Sequence, residues 1–208
     1  DLHSFPTRRS SDLVGGMLVH ETIEDVHRAA LRDETNTITD GNIASWFETN
    51  YASLSKSTHS YLSAAQLQAA LKHVLRYVER QHGDWSIIKQ AEVDVSLVKP
   101  DYIIEGKIDL IRGAGDTVEI VDFKSTQKPD VNDPTARERL ELYRRQLHIY
   151  AHLVEERTGE KVSKMHLYYT GEDSAVPTIS FPYSPTAIQG TLAAFDDTVK
   201  RIMRQDAD

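Results

Sequence analysis

Apolar residues recur at three- and four-residue steps from Met17 and Leu18 through Ile23 and Val26 to Ala30, which predicts a helix over about residues 16–31. The next thirty residues are polar and rich in Ser and Thr, with one short predicted helix around Trp46. Ser63 suits a helix N-cap, and Leu67, Leu71, Val74, Leu75 and Val78 mark the amphipathic helix that follows, ended by His82-Gly83. After Trp85 the period changes to two. Residues 87–97, 102–112 and 117–125 read as strands, the last two joined as a hairpin through residues 112–116. Pro129 and Pro134 mark a loop before a helix over about 136–157, whose apolar face carries Leu140, Tyr143, Leu147, Tyr150 and Val154 and which Gly159 closes. A strand at 164–169, a proline-limited edge strand at 178–183 and a closing helix at 185–205 complete the order. This succession predicts an α/β fold, a mixed central β-sheet flanked by α-helices.

The first thirteen residues show neither period and lack the apolar centre of a signal peptide. Ser4 to Leu13 resembles the translation of a sequencing adaptor. Residues 1–13 are therefore expected to be a non-native leader, residues 14–208 a single domain, and the native chain to extend further upstream.

Composition narrows the chemistry. The 208 residues are 39% hydrophobic and 27% charged, and no apolar run approaches the ~20 residues of a membrane span, so a cytoplasmic protein without membrane contact is expected. Cysteine is absent, which excludes disulfides, thiol nucleophiles, cysteine-held zinc and cysteine-held iron–sulfur clusters. A metal would be held by carboxylates, carbonyls or histidines. The net charge of -8 opposes a general basic grip on nucleic acid. Basic residues gather locally at Lys124, Lys128, Arg137, Arg139, Arg144 and Arg145, although about half are expected to pair with Glu138 and Glu141 on a solvated helix face.

Strand alternation places Asp109 with Glu105, Lys107 and Ile111 on one face, Ile104, Ile108 and Leu110 on the other, and Asp122 with Ile120 and Lys124 on one face of the next strand. If the turn pairs Ile111 with Val118, Asp109 faces Ile120, Asp122 faces Lys107, and the two aspartates lie diagonally on one face. Carboxylate oxygens suit Mg²⁺, which leaves positions for water and phosphate oxygens, and a lysine two residues along can serve the attacking water. An isolated D-x-K tripeptide is most often an ordinary strand surface.

The residues around it change that reading. Glu105-Gly106-Lys107-Ile108-Asp109-Leu110-Ile111, Val121-Asp122-Phe123-Lys124-Ser125-Thr126 and Gln146-Leu147-His148-Ile149-Tyr150-Ala151 resemble, in order and spacing, the motifs of RecB-like PD-(D/E)XK nucleases, as found at the C-terminus of UvrD-like helicases. Ile108 stands where the family name has proline. The resemblance implies a restriction-endonuclease-like core and a metal-dependent DNA nuclease of repair or recombination. It assigns catalysis to Asp109, Asp122 and Lys124, metal ligation to Asp109, Asp122 and the Phe123 backbone carbonyl, and DNA contact to Gln146 and Tyr150. The implied cofactor is Mg²⁺ or Mn²⁺, with no iron–sulfur cluster. The implied partners are single-stranded DNA and a helicase domain in the same polypeptide or complex.

The family also places a helical histidine near the metal, usually just after a glycine, and Gly16-Met17-Leu18-Val19-His20 matches. His20 is thus a further ligand candidate, with Glu24 one turn on as its acceptor or as a carboxylate in its own right, and Glu92 a weaker candidate. His27, His59, His73, His82, His148, His152 and His166 show no zinc-type spacing, and most are expected at the surface. Two alternatives stay open: a catalytically idle DNA-binding or scaffolding module with the same fold, and a stand-alone CRISPR-associated or recombination exonuclease of the superfamily.

Overall fold

The computed structural model describes residues 7–207 and places five strands in one sheet of order β1-β2-β3-β4-β5. In chain order the elements are α1 (Thr7–Leu31), α2 (Asp40–Thr58), α3 (Ala64–Arg80), β1 (Ile88–Val98), β2 (Ile103–Ala114), β3 (Thr117–Lys124), α4 (Pro134–Thr158), β4 (Val162–Tyr169), β5 (Thr178–Pro182) and α5 (Pro185–Ala207). β1, β2 and β3 form an antiparallel meander, α4 crosses over to β4 parallel to β3, and β5 returns antiparallel at the edge. This is a restriction-endonuclease-like α/β architecture. Among the described residues no helix is long and apolar enough to cross a membrane.

Local chemistry sets most boundaries. Ser63 and Gln66 form a reciprocal capping box at the start of α3. Asp133 caps α4, Pro134 occupies its first turn, where a missing N–H costs nothing, and Gly159 in the left-handed region ends it. α1 begins at Thr7 rather than near residue 16, because a helix nucleated by its buried face propagates cheaply through polar residues. Of the expected leader, residues 1–6 lie outside the described residues. The segment expected to hold one short helix is the 19-residue α2. Its apolar residues are few but well spaced, Ile43, Phe47 and Leu54 being buried. Thr49 and Thr58 hydroxyls donate to carbonyls four residues back, so hydroxyl-rich sequence is tolerated within the helix.

The sheet separates two cores. One face packs Leu18, Ile23, Val26, Ile43, Val74 and Tyr77 of the first three helices on Leu110, Val121, Phe123 and Tyr168. The other packs Leu147, Tyr150, Ala151 and Val154 of α4 on Ile108, Ile120, Met165 and Leu167. Truncating a fully buried leucine such as Leu18 or Leu147 to alanine would cost about 2–5 kcal/mol. Of the seven histidines without zinc spacing, His27, His148 and His166 depart from the surface expectation by being buried, while His73 and His152 are partly exposed and His59 and His82 exposed. His27 reaches Tyr77 Oη at 2.6 Å, and His166 bridges Ser180 and Glu119 across three strands.

Two corrections concern the strands that carry the acids. The turn between β2 and β3 is only Gly115-Asp116, with Gly115 at φ +69° and Ala114 paired to Thr117. Gly113 and Ala114 are strand residues, so Ile111 pairs with Ile120 and not with Val118. Strict alternation also fails at Asp109, because Ile108 joins the α4 core while Leu110 joins the α1 core.

Candidate active site

The hairpin register puts the two aspartates opposite each other. Leu110 pairs with Val121, so the next step places Asp109 across from Asp122, and ladder pairing stops there. In place of a backbone partner, the Phe123 N–H donates to Asp109 Oδ2 at 2.7 Å. N–H and C=O of one strand residue point the same way, so the Phe123 carbonyl faces the same gap. The Lys124 carbonyl points oppositely, accepting from Thr170 N of the β4 side.

A third carboxylate extends the row. Ala91 pairs with Leu110 and Val93 with Ile108, which sets Glu92 beside Asp109. Glu92 adopts φ 50°, a conformation costing roughly 1–3 kcal/mol for a residue with a Cβ, next to a β1 register shift at 88–90. Lys107, expected opposite Asp122, instead approaches Glu92 at 3.8 Å and Asp94 at 4.0 Å.

Helices close the site from both faces. Gly16 lets α1 approach the end of β3, since a Cβ there would stand 2.7 Å from Ser125 Oγ. One turn later His20 Nδ1 lies 4.0 Å from Asp109 Oδ2. His20, Glu21, Glu24, Glu92, Asp109 and Ser125 line an open cavity of about 460 Å³. Glu24 does not serve as acceptor for His20; its carboxylate pairs with Arg28. On the other face Lys124 Nζ contacts Asp122 Oδ2 at 2.9 Å and lies 4.0 Å above the Tyr143 ring centre. Gln146 donates to Tyr150 Oη at 2.9 Å, and Tyr150 rests on Gly106, where any Cβ would overlap its hydroxyl. Of the basic group on α4, Arg144 and Arg145 both bond to Glu141.

The electrostatics follow from this crowding. Burial, and then the Asp122 charge, push the Asp109 carboxyl well above the usual range, against the Phe123 amide and Lys124. Burial, then Asp109 and Glu24, push Glu92 up to about 7. Burial lowers His20 despite Asp122 and Glu92, leaving its imidazole neutral near pH 7. Burial also raises Glu21, which no sequence pattern singles out and which only the α1 docking brings to the cavity.

Two crowded carboxylates, a backbone carbonyl and a neutral imidazole are donors that a hard divalent cation accepts, and a cation would relieve the repulsion between Asp109 and Asp122. The side chains are not fully converged for this. Among the described residues no group of three or more acids and histidines is gathered closely enough to hold an ion as it stands. One Asp122 oxygen is engaged by Lys124.

The chain resembles known proteins in sequence and in fold. Over 74 residues the chain is 38% identical to an ATP-dependent helicase/nuclease subunit of Carboxydothermus hydrogenoformans, a match that covers 36% of this chain and 6% of that one. The crystal structure of a candidate exonuclease from Eubacterium rectale matches with a TM-score of 0.52 at 18% identity, over 79% of this chain and 64% of that chain, a likeness of fold. In each case less than two thirds of the relative is spanned. With its sequence matching the family over residues 3–208, and with the opposed acids and lysine on adjacent strands, the chain belongs to the PD-(D/E)XK nuclease superfamily.

Proposed function

We propose that this domain hydrolyses DNA phosphodiesters with Mg²⁺ or Mn²⁺, using Asp109, Asp122, His20 and the Phe123 carbonyl as metal ligands and Lys124 beside the attacking water. The observation that carries the reading is the placement of Asp109 opposite Asp122 with Lys124 on the same strand end. A bound divalent ion would lower the pKa of a water and neutralise charge on the phosphate. Asp109 is held in place by the Phe123 amide and faces the gap between β2 and β3. Lys124, steadied by Asp122 and the Tyr143 ring, supplies a fixed positive charge where the phosphate gains negative charge. Tyr150 and Gln146 form a bonded pair that would hold the strand against the site. Glu92 joins this set as a further ligand or water acceptor, while Glu24, committed to Arg28, serves only the field around it.

The partial likeness to a helicase/nuclease subunit supports a helicase domain in the same polypeptide or complex. The same reading takes in a role in repair or recombination and a cytoplasmic setting. An acidic domain of charge -8 has little general attraction for phosphate, so a tethered motor would supply strand capture. The unit assigned to this activity is residues 14–208.

The test is cleavage of labelled DNA by the folded protein with and without added Mg²⁺ or Mn²⁺, beside Lys124→Ala. Metal-dependent cleavage that falls ~10²- to 10³-fold in the variant is expected. No cleavage under any metal condition would favour the idle DNA-binding module, and unchanged cleavage by Lys124→Ala would move the chemistry elsewhere.

A further inference from the structure

A second cavity, of about 530 Å³, opens between α4 and α5 beside the start of β2. Leu142, Tyr143, Ile149 and Phe195 form its walls, and Gln146 and Tyr150 its floor. Three of these residues also belong to the candidate active site. The Tyr143 ring touches Lys124 Nζ, and the Gln146–Tyr150 pair sits over Gly106, on the same strand as Asp109 and just before it. Through Tyr143 the cavity borders Lys124, on the α4 side of the acid row. Its apolar walls remain uncovered, since Leu142 is 60% and Phe195 39% exposed. Phe195 is fixed from behind by the Tyr102 ring at 5.9 Å, and Tyr102 is hydrogen-bonded to Asp196, so the wall is built and not a loose helix end.

We infer that this groove receives one unstacked base of a DNA strand whose neighbouring phosphate lies at the Asp109–Asp122 site. The inference rests on the nuclease reading above. Charge divides the strand between the two places. Lys124 draws phosphate to the acid row, whereas Glu105 on the groove repels it and leaves the apolar walls to the base. Arg145 lines the groove with its guanidinium 3.3 Å from Glu141, while Arg144 takes the closer contacts to that acid. Within the groove Gln146 already donates to Tyr150, and the Thr191 hydroxyl to the Ala187 carbonyl. Stacking on Tyr143 and Phe195 would then tolerate any base, because every base has a π-face. A paired base stays stacked within its duplex and must be extruded at a cost before it enters.

The experiment compares two labelled 12-nucleotide strands by fluorescence anisotropy at low salt without divalent metal: an ordinary strand and one of the same length lacking all bases. The ordinary strand is expected to bind about 10-fold or more tightly. Phe195→Ala, and separately Leu142→Ala at a more exposed position, should remove most of that advantage and leave affinity for the base-free strand unchanged. Equal affinity of the wild-type protein for both strands overturns the inference, as does a variant that weakens both strands alike. So does sedimentation showing a dimer that Phe195→Ala disperses, since a second copy would then fill the groove. The nuclease reading is judged separately by metal-dependent cleavage: base-dependent binding without cleavage sinks that reading and leaves the groove assignment standing.

Discussion

Asp109 takes the hydrogen bond that a strand neighbour would otherwise have taken, accepting from the Phe123 amide at 2.7 Å. The bond anchors one carboxylate oxygen, interrupts the β2–β3 ladder and turns the Phe123 carbonyl into the same gap. The gap is dense in negative charge, with Glu92 on one side and Asp122 on the other. Such an arrangement costs folding stability, a common price of a preorganised site.

Asp109→Asn should therefore stabilise the metal-free protein. Because the folded carboxyl is raised above its unfolded value, the folded state binds the proton more readily. Wild-type stability then rises as pH falls through the raised value and is fully regained below the unfolded one. At pH 8 without metal the variant should melt higher, by roughly 2–4 °C for each kcal/mol released. It should also lose cleavage and any rise in melting temperature on adding Mg²⁺ or Mn²⁺. A variant that melts lower at pH 8 would show that the Phe123 bond outweighs the repulsion.

His20→Ala should raise the divalent metal concentration needed for half-maximal cleavage by about tenfold or more while leaving the fold intact. The ring is about one third exposed and lies 4.0 Å from Asp109. Metal titrations with the same midpoint would return His20 to a packing role against Phe123.

Gly106→Ala tests the floor of the site. A Cβ at this position would overlap the Tyr150 hydroxyl, so the ring end must swing and the Gln146 bond must break. Three atoms of a core-packed ring must shift, at a cost of about 1–3 kcal/mol, so the melting temperature should fall while circular dichroism keeps its native shape. Cleavage should fall roughly 10- to 10²-fold. Unaltered cleavage would remove Gln146 and Tyr150 from the strand-contacting surface.

His27 should make the protein sensitive to mild acid. Burial pushes its imidazole down to about 3, and it bonds to the Tyr77 hydroxyl inside an aromatic cluster with Phe123. The unfolded chain binds the proton first, so stability is lost progressively as pH falls from about 6.5 towards 3, at ~1.4 kcal/mol per pH unit. His27→Gln keeps a partner for Tyr77 and removes the titration. Its melting temperature should start below that of the wild-type protein at pH 7.5, and the gap should narrow by pH 5. Parallel melting curves across that range would contradict the assignment.

The sequence by itself determined the element order, because each signal is local. Ser63 and Asp133 cap helices, Gly159 ends one, and period-two alternation over β3 aligns Ile120, Asp122 and Lys124 whatever the neighbouring strands do. Asp109, Asp122 and Lys124 were singled out by the resemblance of the residues around them, since alternation alone leaves a D-x-K tripeptide an ordinary strand surface. Register was not, since a shift of two residues keeps every side chain on its face and leaves the hydrophobic pattern unchanged. The choice fell to the two-residue turn at Gly115-Asp116 and to packing on both faces, and it brought Asp109 opposite Asp122. The full length of α2, expected only as a short helix around Trp46, was hidden because three well-placed apolar residues outweigh a hydroxyl-rich composition only once a core exists to bury them. Glu21, the inward turn of Glu92, the burial of His27 and the groove against Phe195 arise from helices meeting strands distant in sequence. No local period encodes such contacts, so only the tertiary structure decided them.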